Sequence, residues 1–142
     1  MRRNEVEHRQ LECNGVNLHL ACQGTGPLVV MCHGYPGLWY SWRHQMSALA
    51  GAGYTAVALD MRGYGRSSRP ADIESYGFDQ LSADVLAVFD NFQAEQAVLL
   101  GHDFGANLTW HMAIYHPQRL QGIAPLCVPY DMELAGGSDV LP

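Results

Sequence analysis

An acidic residue stands between glycines where an apolar run gives way to a helical pattern. Residues 101–106 read GHDFGA and follow the run AVLL. A chain that turns sharply from strand to helix presents the turning residue at a strained, exposed elbow, and small neighbours relieve the crowding there. Gly101, Gly105 and Ala106 supply those neighbours, so Asp103 is predicted to project a nucleophilic carboxylate above the sheet. The alternative is that Asp103 only caps the helix that follows.

A second loop carries the donors that such a nucleophile needs. Residues 33–37 read HGYPG and follow the apolar run LVVMC. An oxyanion hole needs two backbone N–H groups aimed at one point, one from the residue after the nucleophile and one from a neighbouring loop. Phe104 and Tyr35 fit these two places. Read by itself, HGYPG is also typical of a tight turn that needs Gly and Pro.

The elements around these loops alternate between strand and helix. Asn14 and Gly15 form the expected turn of a β-hairpin over residues 11–20. Short unbroken apolar runs alternating with helical patterns predict an α/β fold, a mostly parallel sheet with helices on both faces. Ser41 is the expected N-cap of the first helix, and Pro125 fits a sheet edge better than a sheet interior. The predicted strands are residues 28–32, 55–60, 97–100 and 120–128, and the predicted helices are 41–53, 78–92 and 106–115.

In parallel sheets, chemistry gathers at the carboxyl ends of the strands. Three loops with unusual residues fall there, at 33–37, 60–68 and 101–106. We therefore expect them to form one site. Arg62, Arg66 and Arg69 cluster in the middle loop, where a solvated loop with one structural ion pair is favoured over a phosphate site.

Composition excludes several classes of function. The 142 residues fit one domain, the formal charge is −6, and all eight basic residues are arginine, which argues against nucleic acid as a partner. The charged N-terminus is unlike a secretory signal and no apolar run reaches membrane-spanning length, so we expect a cytoplasmic protein with no membrane partner. The four cysteines lack metal-ligand spacing, so no metal and no cofactor is predicted.

The three loops together resemble the α/β-hydrolase fold, and within it the epoxide hydrolase family most closely, over about residues 11–130. The first matches the H-G-x-P oxyanion loop of the family, the second its G-x-small-x-Ser/Thr loop, and the third its small-x-nucleophile-x-small-small elbow. The matching residues are His33, Gly34, Tyr35 and Pro36; Gly63, Gly65 and Ser67; and Gly101, His102, Asp103, Phe104, Gly105 and Ala106.

This resemblance implies a reaction between a small epoxide and water. A carboxylate is already ionised at neutral pH and attacks a saturated carbon without a base. Asp103 would form a glycol ester, which water then hydrolyses to a vicinal diol. Haloalkane dehalogenases use the same nucleophile, but they commonly place Trp or Arg after it and often Asn in the HGxP loop. Phe104 and Tyr35 therefore favour the epoxide, and an esterase would need Ser at position 103.

The resemblance also implies parts that lie beyond this sequence. In the family a lid with proton-donating tyrosines follows, and beyond it an acid and a histidine that activate water. The seven histidines here do not occupy that position, and His33 and His102 are expected to support packing and loops. Residues 1–142 are thus predicted to be the N-terminal portion of a single hydrolase domain, with a complementing C-terminal half or a homo-oligomer as partner. A non-catalytic binding module is the alternative.

Two further expectations concern surfaces. If later strands are absent, the strand near residues 120–128 becomes a sheet edge, and the isolated chain is expected to be poorly soluble or oligomeric. Trp39, Tyr40 and Trp42 follow the oxyanion loop and either line an aromatic-tolerant pocket or belong to the core.

Overall fold

The apolar runs pair into one mixed sheet that is mostly parallel. The computed structural model describes residues 5–130, and within them the sheet has six strands in the order β1-β2-β4-β3-β5-β6. Only β2 runs against its neighbours. The strands are β1 (Glu7–Cys13), β2 (Val16–Gln23), β3 (Leu28–Cys32), β4 (Thr55–Leu59), β5 (Ala97–His102) and β6 (Leu120–Leu126).

The N-terminal hairpin is confirmed and is longer than predicted. Asn14 and Gly15 both have positive φ angles, 49° and 74°, as the tight turn requires. Cys13 pairs with Val16 and Cys22 with Glu7, so Cys13 and Cys22 do not face each other. All four cysteines are free thiols.

Helices cover both faces of the sheet, as predicted. One face carries α1 (Arg43–Gly51), whose Met46 packs against Ala21, Met31 and Ala58. The other carries α2 (Phe78–Asn91) and α3 (Phe104–Tyr115) over a larger core that includes Val30, Leu59 and Leu99. Strands β3 and β4 are almost entirely buried and β5 alternates between buried and half-buried residues up to Gly101, which explains their unbroken apolar sequences.

Two helix boundaries differ from the sequence prediction. Ser41 does not cap the first helix: residues 39–42 form a separate 3-10 turn, in which the Ser41 N–H bonds to the Leu38 carbonyl, and α1 begins at Arg43. The predicted stop is confirmed, because Gly53 takes a φ of 91° just after the helix. Helix α3 begins at Phe104, two positions before the predicted Ala106.

Strand β6 is the outer strand of the described sheet. Within residues 5–130 it pairs with β5 alone, and Pro125 lies opposite Gly101 in this pairing. The proline therefore sits on a strand with one unpaired edge, which tolerates a missing N–H. Over the same residues, the helices are too short or too polar to cross a membrane.

Candidate active site

Asp103 occupies a strained elbow between β5 and α3. Its φ of 55° and ψ of −120° lie where non-glycine residues are rare, and such conformations cluster at functional sites. The side chain makes no capping hydrogen bond to the helix. The helix instead begins on the main chain, where the Ala106 N–H donates to the Asp103 carbonyl at 2.9 Å. Asp103 therefore occupies the N-cap position through its main chain, and its side chain does not make the capping hydrogen bond that the alternative interpretation expects.

The small residues around the elbow are required by close backbone approach. A Cβ at Gly101 would lie 2.1 Å from the Gly105 carbonyl oxygen and 2.3 Å from Thr109 Oγ1. A Cβ at Gly105 would lie 2.2 Å from the Cys32 carbonyl oxygen. Real Cβ atoms do not approach backbone this closely, so both positions require glycine. Helix α3 thus packs directly on the ends of β3 and β5 at the elbow.

The loop of residues 33–37 and the elbow meet at the Asp103 carboxylate. The Tyr35 N–H donates to Asp103 Oδ2 at 3.0 Å. Hydrogen bonds from the Tyr35 and Phe104 backbone N–H groups lower the pKa of Asp103, and nearby His102 adds a smaller effect in the same direction. Both predicted backbone donors therefore converge on the carboxylate, which is partly exposed and ionised at neutral pH.

Gly34 makes this approach sterically feasible. A Cβ there would lie 2.4 Å from Asp103 Cβ and 2.9 Å from Asp103 Oδ2. The next peptide bond, between Tyr35 and Pro36, is cis. His33 is buried beneath the loop, where Nδ1 lies 2.9 Å from the Gly34 carbonyl and Nε2 accepts the Met61 N–H at 3.0 Å. The expected loop-support role of His33 agrees with these contacts.

The middle loop supports the site without lining it. Its backbone folds around the Asp60 carboxylate, and a Cβ at Gly65 would lie 2.2 Å from Asp60 Oδ2. Gly63 has a φ of 88° and lies against the Tyr76 ring. Ser67 Oγ accepts the His19 N–H at 2.9 Å and donates to the Asp60 carbonyl. Gly63, Gly65 and Ser67 therefore shape the loop that encloses Asp60 after β4, whereas Asp103 lies at the end of β5.

The arginine cluster contains the expected structural ion pair. Arg62 is buried, and its Nε and Nη2 donate to the two carboxylate oxygens of Asp84 at 2.7 and 2.6 Å. This bidentate pair joins the middle loop to α2. Arg69 is different, because its guanidinium bonds the Gly65 carbonyl at the surface.

Sequence reasoning missed a buried histidine and carboxylate pair. His19 Nδ1 lies 2.8 Å from Asp60 Oδ2, and His19 Nε2 lies 2.9 Å from Nδ1 of the exposed His8. The alternation of β2 contained the signal. Apolar residues 16, 18, 20 and 22 point to one face, which leaves His19 on the other face with Ala21.

A cavity of about 450 Å³ opens beside the elbow, between the loop of residues 33–37, the start of α1 and the end of β6. Trp42 lines it and is buried, and its indole N–H has no partner among the described residues. Trp39 packs against His8 and His19, whereas Tyr40 is 57% exposed. Of these three aromatic residues, Trp42 alone faces the cavity. The lining residues are His33, Gly34, Tyr35, Pro36, Gly37, Ser41, Trp42, Gln45, His102 and Leu126.

Comparison with known proteins places this fold in a defined family. The family model described as alpha/beta hydrolase fold matches residues 27–137, and the chain belongs to that family. It is 48% identical over 127 residues to epoxide hydrolase B of Mycobacterium tuberculosis, covering 87% of this chain and 36% of that protein. It is 45% identical over 125 residues to an epoxide hydrolase of Caballeronia sordidicola, covering 88% and 38%.

The solved structures that this chain resembles include epoxide hydrolases as well. The crystal structure of an epoxide hydrolase from Vigna radiata superposes with a TM-score of 0.87 at 43% identity, covering 89% of this chain and 39% of that one. An epoxide hydrolase from an endophytic Streptomyces superposes with a TM-score of 0.86 at 44% identity, covering 89% and 38%. The chain spans less than half the length of each of these relatives. The predicted resemblance is confirmed for the fold and for the family of relatives.

Proposed function

We propose that this chain is the nucleophile-bearing, N-terminal portion of a single epoxide hydrolase domain. The observation that carries the proposal is the Asp103 carboxylate, held at a strained elbow by the Tyr35 and Phe104 N–H groups. The similarity to proteins named epoxide hydrolases supports the choice of substrate class. An ionised oxygen nucleophile suits a three-membered ring, whose strained carbon needs no prior activation of the attacking group.

The proposed first step forms an ester on the protein. One Asp103 oxygen attacks an epoxide carbon, and a C–O bond forms as the ring C–O bond breaks. The ring oxygen takes a proton from solvent or from an acid on the remainder of the domain. The product is a β-hydroxy ester whose mass exceeds that of the protein by the mass of the whole epoxide.

The proposed second step releases the diol. Water attacks the ester carbonyl carbon of Asp103, and negative charge develops on the carbonyl oxygen. The Tyr35 and Phe104 N–H groups already point at this carboxyl group and stabilise that charge, each contributing on the order of 10²- to 10³-fold in rate. Collapse of the intermediate expels the diol and restores the carboxylate. Activation of the water is assigned to the remainder of the domain.

The test is the intact mass of the chain after incubation with styrene oxide. We expect a mass gain equal to one epoxide, because ester formation needs only Asp103 and an acid from solvent. Asp103→Asn removes the charged oxygen and should remove the gain. Glu74→Gln, which neutralises an exposed carboxylate in the 3-10 turn before α2, is the matched control and should leave it unchanged.

Two outcomes contradict the proposal. An unmodified wild-type chain under conditions that esterify a small-molecule carboxylate rules out a reactive Asp103. An equal mass gain in Asp103→Asn places the reaction on another group. Parallel incubation with a chloroalkane tests dehalogenation, since that reaction releases halide and leaves an ester without the hydroxyl group.

A further inference from the structure

We infer that His33 is a positioning residue, whose ring holds the Gly34–Tyr35 peptide so that the Tyr35 N–H points at Asp103. The inference rests on the proposed function, because it concerns the amide assigned to the oxyanion hole. His33 is 1% exposed and lies behind the oxyanion loop, so it acts through the loop and does not touch Asp103 itself.

The contacts of the ring fix its protonation. The Met61 N–H donates to Nε2 at 3.0 Å, which requires a lone pair on that nitrogen. The proton of a neutral imidazole must then be on Nδ1, which lies 2.9 Å from the Gly34 carbonyl oxygen and donates to it. His33 thus joins the residue after β4 to the oxyanion loop in one defined tautomer.

The bond to the Gly34 carbonyl also sets the direction of the catalytic amide. The Gly34 C=O and the Tyr35 N–H belong to one planar peptide unit and point in opposite directions. Two donors hold the carbonyl from behind, His33 Nδ1 at 2.9 Å and the Gly37 N–H at 2.7 Å. The N–H on the other side is thereby aimed at Asp103 Oδ2, 3.0 Å away. Two bonds on the carbonyl also polarise the peptide and strengthen its N–H as a donor.

Burial and the Met61 N–H favour the neutral form of the His33 ring. Burial lowers its pKa, while the bond to the Gly34 carbonyl and the charge of Asp60 act the other way more weakly. The Tyr64 ring contacts it edge-on, with centroids 4.8 Å apart. Asp103 lies on the far side of Gly34. A proton on Nε2 would point at the Met61 N–H and break that bond.

Two amide variants test the roles of the two ring nitrogens of His33 separately. His33→Asn places a side-chain N–H near the position of Nδ1, and His33→Gln places an acceptor oxygen near the position of Nε2. The measurement is the pKa of Asp103 in the full chain, followed by the ¹³C shift of its side-chain carboxyl without ligand. We expect His33→Gln to raise this pKa toward its ordinary value and His33→Asn to leave it low. The reverse order, or no change in either variant, overturns the inference.

A wild-type measurement keeps the inference falsifiable if a variant does not fold. Long-range ¹H–¹⁵N spectra of the histidines should show His33 neutral at pH 7 with its proton on Nδ1. A proton on Nε2, or on both nitrogens, overturns the inference. The proposed function fails separately. If the two variants differ in the pKa of Asp103 but no styrene oxide ester forms, the positioning role stands and the proposed function fails. If the ester forms but the two variants do not differ in that pKa, the proposed function stands and the positioning role is overturned.

Discussion

Two aspartates follow parallel strands at the same edge of the sheet, and their surroundings differ completely. Asp60, after β4, is 1% exposed, and its carboxylate accepts hydrogen bonds from His19 Nδ1 and from the Trp39 and Arg66 N–H groups. Asp103, after β5, is partly exposed and is held by backbone N–H groups. Asp60 is enclosed and saturated with partners, whereas Asp103 remains open to a small molecule.

The backbone at the strand end produces this difference. Beyond β4 the chain folds back over the Asp60 carboxylate, and Gly65 leaves room for it. Beyond β5 the chain turns directly into a helix at a φ of 55°, which lifts the Asp103 side chain away from the sheet. One residue type at one sheet edge is thus enclosed as a fixed support in one loop and left open in the next, where we propose that it is the reactive group.

The largest expected effect is on reactivity. Asp103→Asn should leave no detectable ester with styrene oxide while changing the free energy of unfolding by no more than about 1 kcal/mol, because the amide oxygen still accepts the Tyr35 N–H. Intact mass and urea unfolding measure the two quantities. A loss of several kcal/mol would mean that Asp103 is a structural support like Asp60.

The largest expected effect on stability lies in the loop of Asp60. Arg62→Ala leaves Asp84, only 2% exposed, without its bidentate partner, so we expect a loss of about 3–5 kcal/mol in urea unfolding. Arg69→Ala, which removes a surface arginine of the same loop, is the control and should change stability by about 0.5 kcal/mol or less. Equal effects would show that the buried pair does not anchor the loop.

Asp60→Asn should reverse the pattern expected at Asp103. Its amide N–H₂ would meet donors, since both His19 Nδ1 and the Arg66 N–H bond to Oδ2, and we expect a loss of about 1–3 kcal/mol. The folded fraction should still form the ester. An abolished ester at full stability would contradict the division between the two aspartates.

Gly34→Ala tests the close approach of the 33–37 loop to Asp103. The added Cβ must move the loop or the elbow, so we expect a cost of about 1–3 kcal/mol and slower ester formation, followed by intact mass over time. Gly51→Ala is the matched control, because that Cβ meets open space at the end of α1, and it should be neutral or stabilising by up to about 1 kcal/mol. Similar behaviour of both variants would remove the steric argument.

The smallest expected effect is a loss of stability in mild acid. Burial lowers the pKa of His33 and of His111, so each binds a proton more readily in the unfolded chain. Their contribution to stability is therefore present above about pH 6.5 and is lost as pH falls below it. Urea unfolding between pH 7.5 and 5 should show this decline. His111→Phe, which stacks on Phe78 without titrating, should make it shallower.

The sequence was sufficient for the parts of the fold that depend on local pattern. Unbroken apolar runs predict β3, β4 and β5, and the glycines around Asp103 predict the elbow, because only backbone crowding requires them together. The sequence was insufficient where long-range contacts determine the local structure. Ser41 is an ordinary capping residue, yet the Leu38 carbonyl places it inside a separate turn. The pairing of His19 with Asp60 depends on the register of β2 against β4, which sequence alone does not fix.

The properties of the site residues also fall into those that the sequence could predict and those that it could not. Tyr35 and Phe104 were predictable as backbone donors because the motif specifies positions and not side chains. The tautomer of His33 was not predictable, because its partner Met61 belongs to a different loop. The oligomeric state of the chain stays a prediction, with native mass compared with 15.7 kDa as its measurement.

The most direct test of the account is to locate the epoxide on the wild-type chain. After incubation with styrene oxide at neutral pH, proteolysis and fragment masses assign the modified residue. The account predicts an ester on Asp103 and none on Asp60, which follows a neighbouring strand of the same sheet edge. An adduct on a histidine or cysteine with Asp103 unmodified would contradict the claim that this elbow presents the nucleophile.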